Sequence, residues 1–151
     1  MLKFKSAKVI SVVLISVLVL SIFNIVAVAA VVDDNVIVPY YNNVVSVTTT
    51  ASISSSGVIT IKNSYTGKSG AISRAVIKTY IEKKTLGLFW TRVDIGTTND
   101  EWTFTSTNNS DRKTYTYQLS STGTYRVTAE YTISGSGGSA DEITKQVTRE
   151  Y

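Results

Sequence analysis

Neither cysteine nor histidine occurs in the 151 residues of this chain, and proline occurs once, at Pro39. Each absence closes a class of function. Without cysteine there is no disulfide staple and no thiol to carry a lipid, so the fold must stand on its apolar core. Zinc sites built from cysteine and histidine are excluded, as is a serine nucleophile served by a histidine base. An excess of one charge is also missing from most of the chain. Of the 15 Lys+Arg, three (Lys3, Lys5 and Lys8) stand in the first thirty residues, where none of the 11 Asp+Glu lie, which leaves 12 against 11 for the rest. The basic isoelectric point therefore belongs to the leader and gives no warrant for a nucleic-acid partner. The expectation is a protein with no cofactor, no metal and no enzymatic activity.

The chemistry that remains is carboxylate chemistry. Asp94, Asp100 and Glu101 surround the stretch "DIGTTNDE", and Asp141-Glu142 lie at a second loop. Acid and base work needs two carboxylates whose surroundings push their pKa values apart. Both groups fall in polar loops, so ordinary solvated acids are expected. Oxygen ligands from Asp94, Asn99, Asp100 and Glu101 match no calcium-loop spacing. "GSGG" at Gly135 to Gly138 follows a strand pattern but opens no helix, so it is expected to be a flexible hairpin loop and not a phosphate cradle.

Long apolar runs are confined to the start. A basic head, an apolar stretch from Val9 to Val26 and small residues at Ala27, Ala29 and Ala30 make the pattern of a secretory signal cut after Ala30. The stretch approaches the ~20 residues a bilayer needs, so an uncut membrane anchor is the alternative. The leader, if uncut, is the one route to a membrane that the sequence offers. The expected organisation is a signal peptide over 1–30, an extended lead-in over 31–43 and one domain over 44–151, secreted from the cell.

That domain reads as all-β. Threonine, valine, isoleucine and tyrosine recur in short runs punctuated by Gly, Ser and Asn. In "GTYRVTAEYTIS" the residues Tyr125, Val127, Ala129, Tyr131 and Ile133 fall on one face and Thr124, Arg126, Thr128, Glu130 and Thr132 on the other. Successive strand side chains point to opposite faces, so one side is dry and one wet. The same alternation places Val45, Val47, Ala51 and Ile53 together, then Ile59 with Ile61, Trp102 with Phe104, and Tyr115 and Tyr117 with Leu119. The last run gives Ile143, Val147 and Tyr151, with Lys145 and Arg149 intruding as in an edge strand. With "AVIKTYIEKKT" and "LFWTRVDIG" this makes about 7–8 strands, which favours a two-sheet antiparallel sandwich over a closed barrel.

"LSSTGTYRV", Leu119 to Val127, resembles the turn and strand start of immunoglobulin-like domains. The resemblance implies an immunoglobulin-like sandwich in which Tyr125 makes a tyrosine corner, its ring inward and its hydroxyl bonded to nearby backbone. Val127 stands where antibody domains carry a cysteine. "YIEKKTLGLFWTRVD" followed by "GTYRVTAEYTI" is similar to small exported proteins of Gram-positive bacteria, a family whose function is uncharacterised. That likeness specifies a fold and hardly an activity.

One run does not fit a solvated turn. "KKTLGLFWTRV" places Leu86, Leu88 and Trp90 on the outside if Phe89, Val93 and Ile95 face the core. An exposed tip of this kind is a candidate contact for a protein or cell-envelope partner, through Leu86, Leu88 and Trp90. The alternative is that a bulge rotates Trp90 inward, or that the preceding strand and the lead-in cover it. A second candidate is carbohydrate binding, with Trp90, Tyr65, Tyr40 and Tyr41 as stacking faces for a glycan.

Overall fold

The computed structural model describes residues 40–151. The expectations on the leader, its cleavage and the lead-in up to Pro39 lie outside the described residues. From Pro39 onward the chain forms one compact unit with a core of its own. The strands are β1 (Val44–Ile53), β2 (Val58–Gly67), β3 (Ile72–Thr85), β4 (Phe89–Arg92), β5 (Trp102–Ser106), β6 (Ser110–Gln118), β7 (Thr124–Gly135) and β8 (Gly138–Glu150). One sheet runs β1-β2-β6; the other runs β4-β3-β7-β8, with β5 also on the β4 side of β3. All pairings are antiparallel. The two sheets pack face to face in a sandwich-like arrangement and do not close into a barrel.

The alternation that forms the strands also forms the core. Ile59 and Ile61 of one sheet meet Ile81, Tyr125 and Val127 of the other, while Val47 and Tyr65 meet Ile77, Tyr131 and Ile133. A polar seam divides these two halves. Asn63 and Thr79, both fully buried, join across the sheets through Nδ2 donating to Oγ1 at 2.7 Å. Beside them the Tyr131 hydroxyl donates to the Thr48 carbonyl at 2.9 Å and lies 2.7 Å from Thr49 Oγ1.

Three local expectations need correction. Val45 is 65% exposed while Val44 is buried, because the register shifts between Val44 and Ser46. Such a bulge restarts the alternation one residue off, so Val44 and Val47 share the inner face. The glycines at the β7–β8 turn are packed and not loose. A Cβ on Gly135 would collide with the Ala71 carbonyl, and one on Gly137 with the Asn42 carbonyl. Asp141 is no solvated loop acid. It is buried in β8 and accepts backbone N–H groups from Asn42 (2.7 Å), Asn43 (2.7 Å) and Val44 (3.1 Å). Buried Asn43 completes this clip: its Nδ2 donates to the Ser139 carbonyl at 2.9 Å and its Oδ1 accepts from Gly137 N–H at 3.0 Å. β8 is an edge strand, and its Arg149 guanidinium reaches across to donate to the Ala51 carbonyl at 2.8 Å.

Candidate functional site

The β3–β4 hairpin outruns the core. Ile81 is the last buried residue of β3, and the four pairs from Glu82↔Arg92 to Thr85↔Phe89 lie beyond it. Past that point no residue of the ribbon is buried. Leu86, Leu88 and Phe89 are accordingly 84%, 74% and 63% exposed. Phe89 was expected in the core with Val93 and Ile95. It shares their face, but only Val93 and Ile95 reach the half-core around Ile81. Phe89 points into open space above it and joins the tip.

The turn itself is costly. Leu88 N–H donates to the Thr85 carbonyl at 3.1 Å, and the two central residues have positive φ, 53° at Leu86 and 70° at Gly87. A turn with both central residues left-handed normally takes asparagine, aspartate or glycine at the first place. Leucine pays a steric penalty of about 1–2 kcal/mol there, and its side chain gains no burial in return. A residue that is both strained and uncovered is poorly explained by folding, which points to a role outside it. Leu86→Asn is therefore expected to raise stability by about 1 kcal/mol. Urea melts of the two proteins measure this, and an unchanged or lowered midpoint would show the leucine to be unstrained.

Trp90 has a different setting from its neighbours. It pairs with Lys84 and lies on the outer face of the larger sheet, half-buried. The Arg126 guanidinium stands 4.4 Å from its ring centroid and Lys84 Nζ 5.9 Å. Arg126 is in turn fixed by Glu82, Nε to Oε2 at 2.8 Å, and this bond raises the guanidinium pKa further above its ordinary value. Next along the face, the Arg92 guanidinium stacks 3.7 Å from the Tyr80 ring. Arg92 also donates to the Asn99 carbonyl at 2.7 Å and pairs with Glu101 at 3.5 Å. Burial, and then the Glu130 carboxylate beside it, push the Tyr80 phenol above its ordinary pKa. Each such cation–ring contact contributes about 0.5–1 kcal/mol at a surface, which ties Trp90 to its neighbours on the outer face. So Trp90 is neither core nor an open platform.

Cations flank the tip on both sides. Lys84 lies on the outer face. Lys83, on the inner face, donates from Nζ to Ser121 Oγ at 2.6 Å and sits 5.6 Å from the Tyr125 ring. Among the described residues neither lysine has a carboxylate partner, whereas Lys78, Arg92 and Arg126 do. The loop acids are similarly engaged: Glu101 is shared by Lys78 and Arg92, and Asp94 Oδ1 accepts from Gly96 N–H at 2.8 Å. No group of three acidic residues converges among those described.

The candidate sugar platform is dispersed. Tyr65 is only 2% exposed and its hydroxyl donates to the Asn108 carbonyl at 2.8 Å, so its ring can offer no face to a glycan. Tyr40 is open at 88%, with Lys68 Nζ 4.6 Å from its ring, and Tyr41 packs partly against the half-core around Tyr131. Both stand at the Asn43 end of β7, whereas Trp90 stands at the Tyr125 end. Tyr125 itself is buried, and its hydroxyl donates to the Ser121 carbonyl at 2.6 Å. Sequence reasoning missed Phe89, Lys84 and Arg126 as members of the site. The alternation placed Phe89 on the correct face, but nothing in it tells where the opposite sheet stops.

The fold is thus a two-sheet, all-β, sandwich-like arrangement with one prominent apolar projection among the described residues. No protein-family model matches the chain, and comparison with curated proteins finds no match.

Proposed function

We propose that this chain is an exported immunoglobulin-like module with no catalytic role, which makes contact through its β3–β4 tip with a component of the cell envelope or a protein there. The observation that carries the reading is the exposure of Leu86, Leu88 and Phe89 together, on a turn whose leucine is conformationally strained. Five large apolar side chains are exposed among the described residues, and three of them stand here. Clustering of that kind marks contact surfaces, whereas scattered exposed apolar groups mean nothing.

The immunoglobulin-like part of the reading draws on strand order. β1-β2-β6 corresponds to strands A-B-E, and β3-β7-β8 to C-F-G, of the constant-type domain. The bond from the Tyr125 hydroxyl to Ser121, at the start of the F-like strand, has the form of a tyrosine corner. The chain departs from that pattern at its fourth strand. β4 and β5 both ride on β3 and none extends the β6 edge, so the contact hairpin grows from the C-like strand. The absence of histidine and cysteine supports the non-catalytic reading.

Adsorption to envelope fractions of the producing cells tests the proposal. The variant L86S/L88S/F89S is expected to keep the wild-type unfolding midpoint, because none of the three side chains is buried, and to lose adsorption at least tenfold. Full retention would remove the tip from the contact.

A further inference from the structure

We infer that the envelope component met by the tip is the surface of an anionic lipid bilayer. Leu86, Leu88 and Phe89 enter the boundary between headgroups and acyl chains, while Lys83 and Lys84 meet the phosphates. This rests on the tip being the contact surface, and it adds membrane contact by a folded element to the leader as the only route that the sequence suggested.

Three features of the hairpin favour lipid over a protein groove. The first is the order of chemistry along its axis. Aliphatic and phenyl groups come at the extremity, the Trp90 ring lies one pair further back, and the two lysines flank that level. A bilayer interface has the same order: acyl chains inside, a belt favouring tryptophan at the headgroups, then phosphates that long lysine side chains reach by snorkelling. The second is the lack of directional groups. From Leu86 to Phe89 no side chain can donate or accept a hydrogen bond, and specific protein interfaces carry about one such bond per 100–200 Å². A bilayer requires none. The third is charge. Lys83 and Lys84 lie on opposite faces of the ribbon without carboxylate partners, while Arg126 just behind them is paired with Glu82, and Arg92 and Lys78 share Glu101. The apolar end is therefore flanked on both faces by lysines without acidic partners, as attachment to an anionic surface requires.

The test is co-sedimentation of the compact unit from Pro39 to Tyr151 with vesicles of phosphatidylcholine alone or mixed equally with phosphatidylglycerol. Binding to the mixed vesicles is expected to be at least tenfold tighter than to neutral ones. K83Q/K84Q should weaken it about fivefold per lysine at low salt, and L86S/L88S/F89S should abolish it. A Trp102→Phe background makes Trp90 the sole tryptophan, and its emission should shift to the blue on the mixed vesicles. Sedimentation reports independently should that substitution disturb the fold. Equal binding to both vesicles, or binding that survives L86S/L88S/F89S, would overturn the inference. So would an absence of vesicle binding by a protein that still adsorbs to envelope fractions through its tip; the contact reading would then stand with a protein or wall polymer as partner. Loss of vesicle binding together with tip-independent envelope adsorption would remove both.

Discussion

Asp141→Ala is expected to cost about 3 kcal/mol of folding stability. One carboxylate accepts three consecutive backbone N–H groups at the start of β1, two of them from buried positions. Hydrogen bonds to a charged group are each worth about 1.5–3 kcal/mol, and a buried donor left alone costs about 1–3 kcal/mol. The full sum is not reached because residues 42–44 can peel back into water. Asp141→Asn should recover part of the loss, since an amide oxygen still accepts one or two of these bonds. Urea unfolding measures the cost, and amide exchange at Asn43 and Val44 locates it. If exchange at those two sites stays slow in the alanine variant, the clip does not hold the strand.

Tyr131→Ala is expected to cost about 4 kcal/mol, within the range for truncating a large buried aromatic residue. The ring is completely buried in the half-core with Ile77 and Ile133, and its hydroxyl ties β7 to β1 through the Thr48 carbonyl. Tyr131→Phe separates the two contributions. It keeps the ring and deletes the bond, leaving the Thr48 carbonyl without this donor, and about 1–2 kcal/mol should be lost. Thermal unfolding of both variants checks the ratio. A phenylalanine variant as unstable as the alanine one would mean that the polar seam, and not ring packing, holds that half of the core.

Why was one sheet face so legible and the tip less so? Residues 125–133 alternate strictly, and a period of two has one physical meaning in a half-buried strand. Tyr125, Val127, Ala129, Tyr131 and Ile133 are all buried, as that pattern requires. The pattern failed where geometry depends on residues distant in sequence. Val45 was misplaced by a bulge, which local composition does not encode. Phe89 was placed in the core because alternation fixes a direction but not the extent of the facing layer. Tyr65 is no sugar platform because it continues the inward rhythm of Ile59 and Ile61, a parity that the sequence does carry. Asp141 was assigned to a loop although it shares parity with Ile143; its true partners lie 97 to 99 residues away, a separation invisible to local reading. Trp90 was the hardest case. Its face was readable, but its cover comes from Arg126, brought alongside only by the pairing of β3 with β7.

The clip at Asn42–Val44 has a directional consequence. It closes on the β7–β8 turn, while the β3–β4 tip stands beyond the other end of β7. At 3.3–3.4 Å per strand residue the two are on the order of 40 Å apart. The clip therefore fastens the first described strand at the end of the domain remote from the tip.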